Sequence, residues 1–225
     1  MSIRSQIDFL KDKLSDDVKI VAVSKFHSAE CIAEAYRAGL RIFGENRAQE
    51  LIAKRKVLPD DIEWHFIGPL QTNKVKDIAP FVHTIQSVDS LKLLQEIDRQ
   101  AAKQSRIIRI LLEIRIAEEE SKHGFIPEKC EKILANENVI ANFPNIRIGG
   151  LMGMATFTED EEQIRKEFRL LHDLFKDYKS SFFEKCDHFT ELSMGMTGDY
   201  EIAISEGSTM VRIGSLIFGD RNLCK

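Results

Sequence analysis

The residues best suited to chemistry lie near the two ends of the sequence. Near the start, a mostly apolar run from Val18 to Val23 leads to Lys25. A lysine in an apolar setting loses proton affinity, and its neutral amine can attack a carbonyl to form a Schiff base. The alternative is a solvated lysine that begins a loop, and taken alone the pattern around Lys25 favours that alternative.

Near the other end, two short segments are suited to binding an anion. The segment 193–199, rich in small and hydroxyl side chains, leads into a helix predicted to start near Thr197, and Gly214 and Ser215 follow the last apolar run. Backbone N–H groups at a helix start, aided by the Ser193 and Thr197 hydroxyls, bind phosphate without a basic residue. An ordinary capped loop is the alternative for each segment, but two such segments together favour a phosphate site.

Arg212 lies just before the second of these segments, between Val211 and Ile213. Because side chains alternate along a strand, Val211 and Ile213 can face outward while Arg212 faces inward. An outward arginine in a surface ion pair is an equal alternative.

The elements that must position these residues alternate regularly along the chain. An amphipathic helix is predicted within residues 1–16, before the first strand, and helices then follow most of the strands. The predicted strands are 18–23, 40–43, 63–67, 82–85, 107–114, 146–151, 188–192 and 210–213. This alternation predicts parallel strands with right-handed crossovers. Eight strands favour an α/β fold of the closed (β/α)₈ TIM-barrel type, with an open sheet as the alternative.

Several helix boundaries can also be predicted. Ser28 is a candidate N-cap for the helix that stops at Gly39, and Ser87 or Asp89 is a candidate cap for the helix that runs to about 103. Residues 159–178 form the clearest long amphipathic helix, and the charged stretch 118–124 is predicted to be a surface loop.

The carboxyl ends of barrel strands meet at one mouth, which gathers the candidate residues. The segments predicted there are Lys25, 44–46, 68–69, 152–154, 193–195 and 214–215. A Schiff-base lysine, a phosphate cradle and an inward arginine are together the groups that pyridoxal 5′-phosphate uses.

At these residues the sequence resembles the YggS/PROSC family of pyridoxal-phosphate homeostasis proteins, over about residues 20–219. The shared motifs are Ala22–Lys25, Phe43–Asn46, Trp64–Lys74, Gly150–Met154, Leu192–Thr197 and Val211–Gly214. The resemblance implies one barrel of the alanine-racemase N-terminal type, with Lys25 as the aldimine lysine. Phe26, His27 and Gly153 depart from the family pattern, which affects the ring pocket rather than the aldimine.

The resemblance also implies a set of cofactor-binding residues. Asn46 is expected beside the cofactor, Arg212 at the pyridine nitrogen, and the hydroxyl and glycine segments around the phosphate. The full set is Lys25, Asn46, Met152, Ser193, Gly195, Thr197, Arg212, Gly214 and Ser215.

The presence of an arginine at position 212 helps to decide between a carrier and an enzyme. Arginine can only donate, so beside the pyridine nitrogen it would leave the ring unprotonated and carbanions poorly stabilised. The leading hypothesis is a pyridoxal-phosphate carrier in vitamin B6 and amino-acid homeostasis, without catalytic turnover. The alternatives are a sugar-phosphate-binding barrel and a small amino-acid racemase. A racemase needs a second base, often from an additional domain that is not expected after strand eight. The remaining candidate bases are His27, Cys31, His65, His83 and Tyr200.

Composition limits the other function classes. The formal charge of −4 is spread without a dominant block, which argues against nucleic acid or an anionic membrane as a partner. There is no apolar stretch of about 20 residues and no apolar centre of a signal peptide near Met1. Four cysteines without paired spacing indicate reduced thiols. We expect one domain over 1–225, a cytoplasmic monomer, and pyridoxal-phosphate-dependent apoenzymes as candidate partners.

Overall fold

Eight parallel strands form a closed barrel. The computed structural model describes residues 2–118, 123–136 and 142–219. Within them the strands pair in sequence order and the last pairs with the first, so the predicted TIM-type barrel is confirmed. The strands are β1 (Lys19–Val23), β2 (Ile42–Glu45), β3 (Glu63–Phe66), β4 (Thr84–Val88), β5 (Ile108–Glu113), β6 (Ile146–Met152), β7 (Glu191–Met196) and β8 (Met210–Ile213).

Helices connect the strands and pack around the barrel. The helix predicted before the first strand is present as α1 (Ile3–Lys13). The other described helices are α2 (Ala29–Arg37), α3 (Ala48–Arg55), α4 (Thr72–Ile78), α5 (Leu91–Lys103), α6 (Pro127–Leu134), α7 (Glu161–Ser181), α8 (Tyr200–Ser205) and α9 (Ser215–Phe218).

Side-chain caps fix several helix starts. Ser28 caps α2 as predicted, since its side chain accepts from the Cys31 N–H at 3.5 Å. The predicted cap of α5 at Ser87 or Asp89 is wrong, because Ser90 accepts from the Leu93 N–H at 3.3 Å. Ser87 belongs to β4 instead.

Each strand packs apolar side chains outward against the helices. Phe43 of β2 and Trp64 of β3 are almost fully buried, with ring centroids 6.1 Å apart. Burying such a side chain stabilises the fold by about 2–3 kcal/mol. Several of the side chains that point into the barrel are polar, among them Gln86, Ser193 and Arg212.

Three strands are displaced from their predicted positions by two or more residues. The second strand lies at 42–45 rather than 40–43, the fourth at 84–88 rather than 82–85, and the seventh at 191–196 rather than 188–192. The polar residues Gln86 and Ser193 resemble the start of a loop, yet both are completely buried inside the barrel. Ser193 Oγ donates to Gln86 Oε1 at 2.7 Å. Polar residues are tolerated inside a strand when their hydrogen bonds are satisfied in this way.

The helix predicted to start near Thr197 is also displaced. It starts at Tyr200, after a turn in which Asp199 Oδ1 accepts from the Met196 N–H at 2.5 Å. Thr197 therefore lies in the connection between β7 and α8 rather than in the helix.

The cysteines, the charged loop and the lengths of the helices bear on three further predictions. Cys31, Cys130 and Cys186 are free thiols, whereas Cys224 lies outside the described residues. Most of the predicted surface loop, residues 119–122, also lies outside them. No helix in the described part of the chain combines the length and apolar character needed to span a bilayer. The single-domain assignment to residues 1–225 stays a prediction.

Candidate functional site

Lys25 lies in the turn after β1, at the carboxyl end of the barrel, and is partly exposed. Hydrogen bonds to β2 and α3 hold this turn in place. The Ser24 N–H donates to Gly44 O at 3.0 Å, and the Phe26 N–H donates to Glu50 Oε1 at 2.6 Å. Phe26 has φ of 68°, in the left-handed region that non-glycine residues rarely adopt. The turn therefore has a defined and strained backbone.

A buried ionic network holds the backbone directly before Lys25. Lys54 Nζ donates to Ser24 O at 2.8 Å and to Glu45 Oε1 and Glu50 Oε1, both at 2.6 Å. Ser24 Oγ donates to the same Glu45 oxygen at 2.7 Å. Burial raises the pKa of Glu45, and the nearby Lys54 ammonium acts in the opposite direction. This network ties the lysine turn to β2 and α3.

The two segments predicted to bind phosphate contact each other. The Gly214 N–H donates to Thr197 Oγ1 at 3.3 Å, which joins the connection after β7 to the one after β8. A Cβ placed on Gly214 would lie 3.5 Å from the Val23 carbonyl oxygen, so Gly214 lies beside the end of β1. Ser215 is exposed at the start of α9. The Lys25 turn and both segments therefore lie together at the mouth of the barrel, on the rim formed by the carboxyl ends of the strands.

Gly195 lies at an irregularity in the pairing of β7 with β8. Its φ is +93°, and a Cβ there would lie 2.6 Å from Ala203 Cβ and 3.0 Å from Tyr200 Cα. Glycine is therefore required for the close approach of α8 to the strand. Its predicted role toward a cofactor stays a prediction.

Arg212 points into the barrel, which resolves the alternative between inward and outward. It is 4% exposed. Its Nη1 donates to Ser193 O at 2.9 Å and Ser193 Oγ at 2.7 Å, and its Nη2 donates to Gly153 O at 2.9 Å. Burial lowers the pKa of Arg212 to about 10, whereas Asp199 and Glu113 raise it. The guanidinium is therefore charged at neutral pH.

Glu113, at the end of β5, is a titratable group of the mouth that the sequence analysis missed. It is 3% exposed, and burial raises its pKa to about 7, with Asp89 acting in the same direction and Arg212 opposing it. Only its place at a strand end could have indicated a role. The carboxyl-end rule placed Glu45 at this mouth, but its pairing with Lys54 was missed because it depends on how α3 packs on β2.

Asn46 and Met152 also lie at strand ends on this rim. Asn46 Oδ1 is buried and has no hydrogen-bond partner among the described residues. Gly68 approaches it closely, since a Cβ on Gly68 would lie 2.5 Å from Asn46 Cβ. Met152 ends β6, is 1% exposed, and pairs in register with Ser193 and Glu113.

The candidate bases of the racemase alternative are dispersed. His27 is buried near the mouth and stacks on Phe218 with centroids 4.8 Å apart. His83 precedes β4 and therefore lies at the opposite end of the barrel. Cys31 is buried in α2, and Tyr200 Oη donates to Glu201 Oε1 at 3.0 Å. His65 is buried inside β3.

Comparisons with known proteins agree on a family. The sequence model described as "Alanine racemase, N-terminal domain" matches residues 1–222. The pyridoxal phosphate homeostasis protein of Aquifex aeolicus is 40% identical over 204 residues, which cover 90% of this chain and 87% of that protein.

Solved structures extend the comparison. The structure of PipY from Synechococcus elongatus with PLP bound has a TM-score of 0.86 and 33% identity, covering 97% of this chain and 100% of PipY. An alanine racemase from Clostridium difficile shares the fold, with a TM-score of 0.78 at 19% identity, and the match covers 97% of this chain and 60% of the racemase. The chain thus belongs to the family of pyridoxal phosphate homeostasis proteins, built on the alanine racemase N-terminal domain.

Proposed function

We propose that this protein binds pyridoxal 5′-phosphate, holds it covalently through Lys25, and serves vitamin B6 and amino-acid homeostasis as a carrier without catalytic turnover. One observation carries this proposal. The Lys25 turn and the Thr197–Gly214 contact lie on the same rim, at the ends of the adjacent strands β1 and β8. Family membership and the cofactor in PipY support the identity of the ligand.

The residues on this rim fit the group. Asn46 Oδ1 is a buried acceptor without a partner in the described part of the chain, and a bound molecule with a donor would satisfy it. Thr197 and Gly214 join two connections whose backbone N–H groups and hydroxyls suit a phosphate. Gly195, Ser193, Met152 and Ser215 remain proposed members of the same site.

When bound, pyridoxal phosphate supplies an aldehyde that bonds to amines and a pyridine ring that can withdraw electrons. The chain itself positions the amine, because Lys54 holds the Ser24 carbonyl directly before Lys25. Ser193 and Gly153 orient the Arg212 guanidinium.

Arg212 supports a carrier rather than an electron-sink enzyme. With a pKa of about 10, its guanidinium keeps its proton at neutral pH and acts only as a donor. Beside a pyridine nitrogen it would therefore favour the unprotonated ring, on which carbanions are poorly stabilised. The Arg212→Glu variant should raise the proton affinity of that nitrogen, measured as a pH-dependent cofactor spectrum. An unchanged spectrum would place Arg212 elsewhere.

The cofactor-loaded protein, incubated with L-amino acids and followed by chiral chromatography, tests the absence of turnover. We expect no more than stoichiometric conversion. Repeated turnovers to D-amino acids would instead support the racemase.

Lys25→Ala tests whether attachment has two points. We expect the variant to lose covalent attachment but to retain weaker binding through the phosphate segments, measured by equilibrium dialysis. Complete loss of affinity would contradict the proposed cradle.

We also propose delivery of the cofactor to pyridoxal-phosphate-dependent apoenzymes, by a monomer in the cytoplasm. The partial exposure of Lys25 at the rim supports delivery. Mixing the loaded protein with an apoenzyme, directly or across a dialysis membrane, tests it. Faster activation on direct mixing is expected, and equal rates would argue for release into solution.

A further inference from the structure

A second cluster of polar side chains lies at the amino end of the barrel, away from Lys25. Glu63 begins β3, His65 follows two residues later on the same face, and His83 directly precedes β4. One ligand atom from each of the three side chains lies within 4.8 Å of the others. His83 Nε2 lies 3.7 Å from Glu63 Oε2, and the two imidazole rings stack with centroids 5.6 Å apart.

His65 provides an independent observation that points to a ligand. It is 2% exposed, and its Nδ1 lies 2.8 Å from Gln86 Nε2. Its Nε2 is buried and has no hydrogen-bond partner among the described residues. A buried ring nitrogen without a hydrogen bond is rare, because it costs free energy of folding. Because Nδ1 is engaged by Gln86, Nε2 is the His65 nitrogen left to bind a ligand.

The surrounding charges are balanced. Lys19 Nζ and Arg109 Nε lie 2.7 and 3.0 Å from the two oxygens of Glu191. With Glu63, these side chains carry two positive and two negative formal charges. Burial lowers the pKa of His65 well below its ordinary value, with His83, Lys19 and Arg109 acting in the same direction.

We propose that Glu63, His65 and His83 bind a divalent transition-metal ion of the zinc class. Two imidazole nitrogens and one carboxylate oxygen are a donor set that Zn²⁺ and Co²⁺ accept. The side chains of Glu63 and His83 are 45% and 47% exposed, so water can reach a fourth position. The ion would join the start of β3 to the start of β4. This site is independent of the proposed carrier function.

Binding through His65 Nε2 requires a proton on Nδ1. Gln86 can accept that proton if its amide rotates by about 180°, which exchanges Nε2 and Oε1. Ser193 Oγ, which donates to Gln86 Oε1 in the present orientation, would then accept from Gln86 Nε2 instead. A second polar group that orients a histidine ligand in this way is usual for metal sites.

Titration of the full chain with Co²⁺, followed by its visible absorption and competed with Zn²⁺, tests the proposal. We expect tetrahedral cobalt bands and a dissociation constant on the order of micromolar. Glu63→Gln and His83→Ala change partly exposed side chains, so they preserve the fold, and each should weaken binding at least about tenfold.

His123→Ala is the matched control. His123 Nδ1 lies 3.7 Å from Asp89 Oδ2, which repeats the histidine–carboxylate spacing in a pair outside the three-residue cluster. The His123→Ala variant should leave the affinity for Co²⁺ unchanged. Binding no tighter than about 1 mM, equal loss in the control, or a thiolate-to-cobalt band would each overturn the site.

Discussion

The two ends of the barrel hold their arginines differently, and only Arg212 is fully buried. At the amino end, Arg109 shares the Glu191 carboxylate with Lys19, at 3.0 and 2.7 Å. At the carboxyl end, Arg212 donates to the uncharged oxygens of Ser193 and Gly153, and it forms no ion pair within the described residues. The charge of Arg109 is therefore compensated within the amino end. The carboxyl end retains an oriented positive charge, which is suited to a ligand.

The first test of this comparison is Lys54→Met. Lys54 has three acceptors at the carboxyl end, and its side chain is 8% exposed. Its loss leaves Glu45 buried without its cation, so we expect the free energy of unfolding to fall by about 3–5 kcal/mol. Urea unfolding measures the change.

Lys19→Met is the matched variant at the amino end. The Lys19 side chain is 51% exposed, and Glu191 retains Arg109. We expect a loss of about 1 kcal/mol or less. Equal losses in the two variants would remove the energetic distinction between the ends.

The second test is the pH dependence of stability in Glu113→Gln. The folded pKa of Glu113 is about 7, raised from 4.5. As pH rises, the unfolded carboxyl loses its proton first, so Glu113 costs increasing stability between pH 4.5 and about 7. The advantage of the glutamine variant should therefore grow across this window to about 3 kcal/mol at pH 8.

Glu191→Gln sharpens this second test at the amino end. Since it deprives Lys19 and Arg109 of their shared carboxylate, it should destabilise the protein throughout the same pH range. Denaturant unfolding of both variants over a pH series is the measurement. A constant difference between Glu113→Gln and the native chain would show that Glu113 titrates normally.

The third and smallest effect concerns Thr197→Val. Thr197 Oγ1 accepts from the Gly214 N–H at the rim, whereas Thr209 Oγ1 accepts from the Leu192 N–H at 2.8 Å, near the start of β8. Each valine substitution should cost about 1 kcal/mol of stability. Only Thr197→Val should weaken pyridoxal-phosphate binding, by about five- to tenfold. Equal affinities of the two variants would place the phosphate elsewhere.

Local patterns predict the architecture and the main site residues. Alternating strands and helices give the barrel, and the carboxyl-end rule brings Lys25 and Gly214 together without knowledge of any contact. The inward direction of Arg212 follows from the structure alone, because alternation allows either face. Membership in the homeostasis family was likewise predicted from the shared motifs and is confirmed by the comparisons.

The errors and omissions have a common physical origin. Ser193 and Gln86 look like loop residues because their hydrogen-bond partners come from strands distant in sequence. Lys54 looks like an ordinary helix-surface lysine until α3 packs its amine against Glu45. Long-range polar pairs of this kind leave little local signal, so sequence patterns place strands better than they place buried networks.

The most direct test of the central claim is borohydride reduction of the protein loaded with pyridoxal phosphate, followed by proteolysis and mass mapping. We predict that the added mass is confined to the peptide that contains Lys25, and that the Lys54 peptide is unmodified. Modification of Lys54 or another lysine, or no stable adduct at all, would contradict the account.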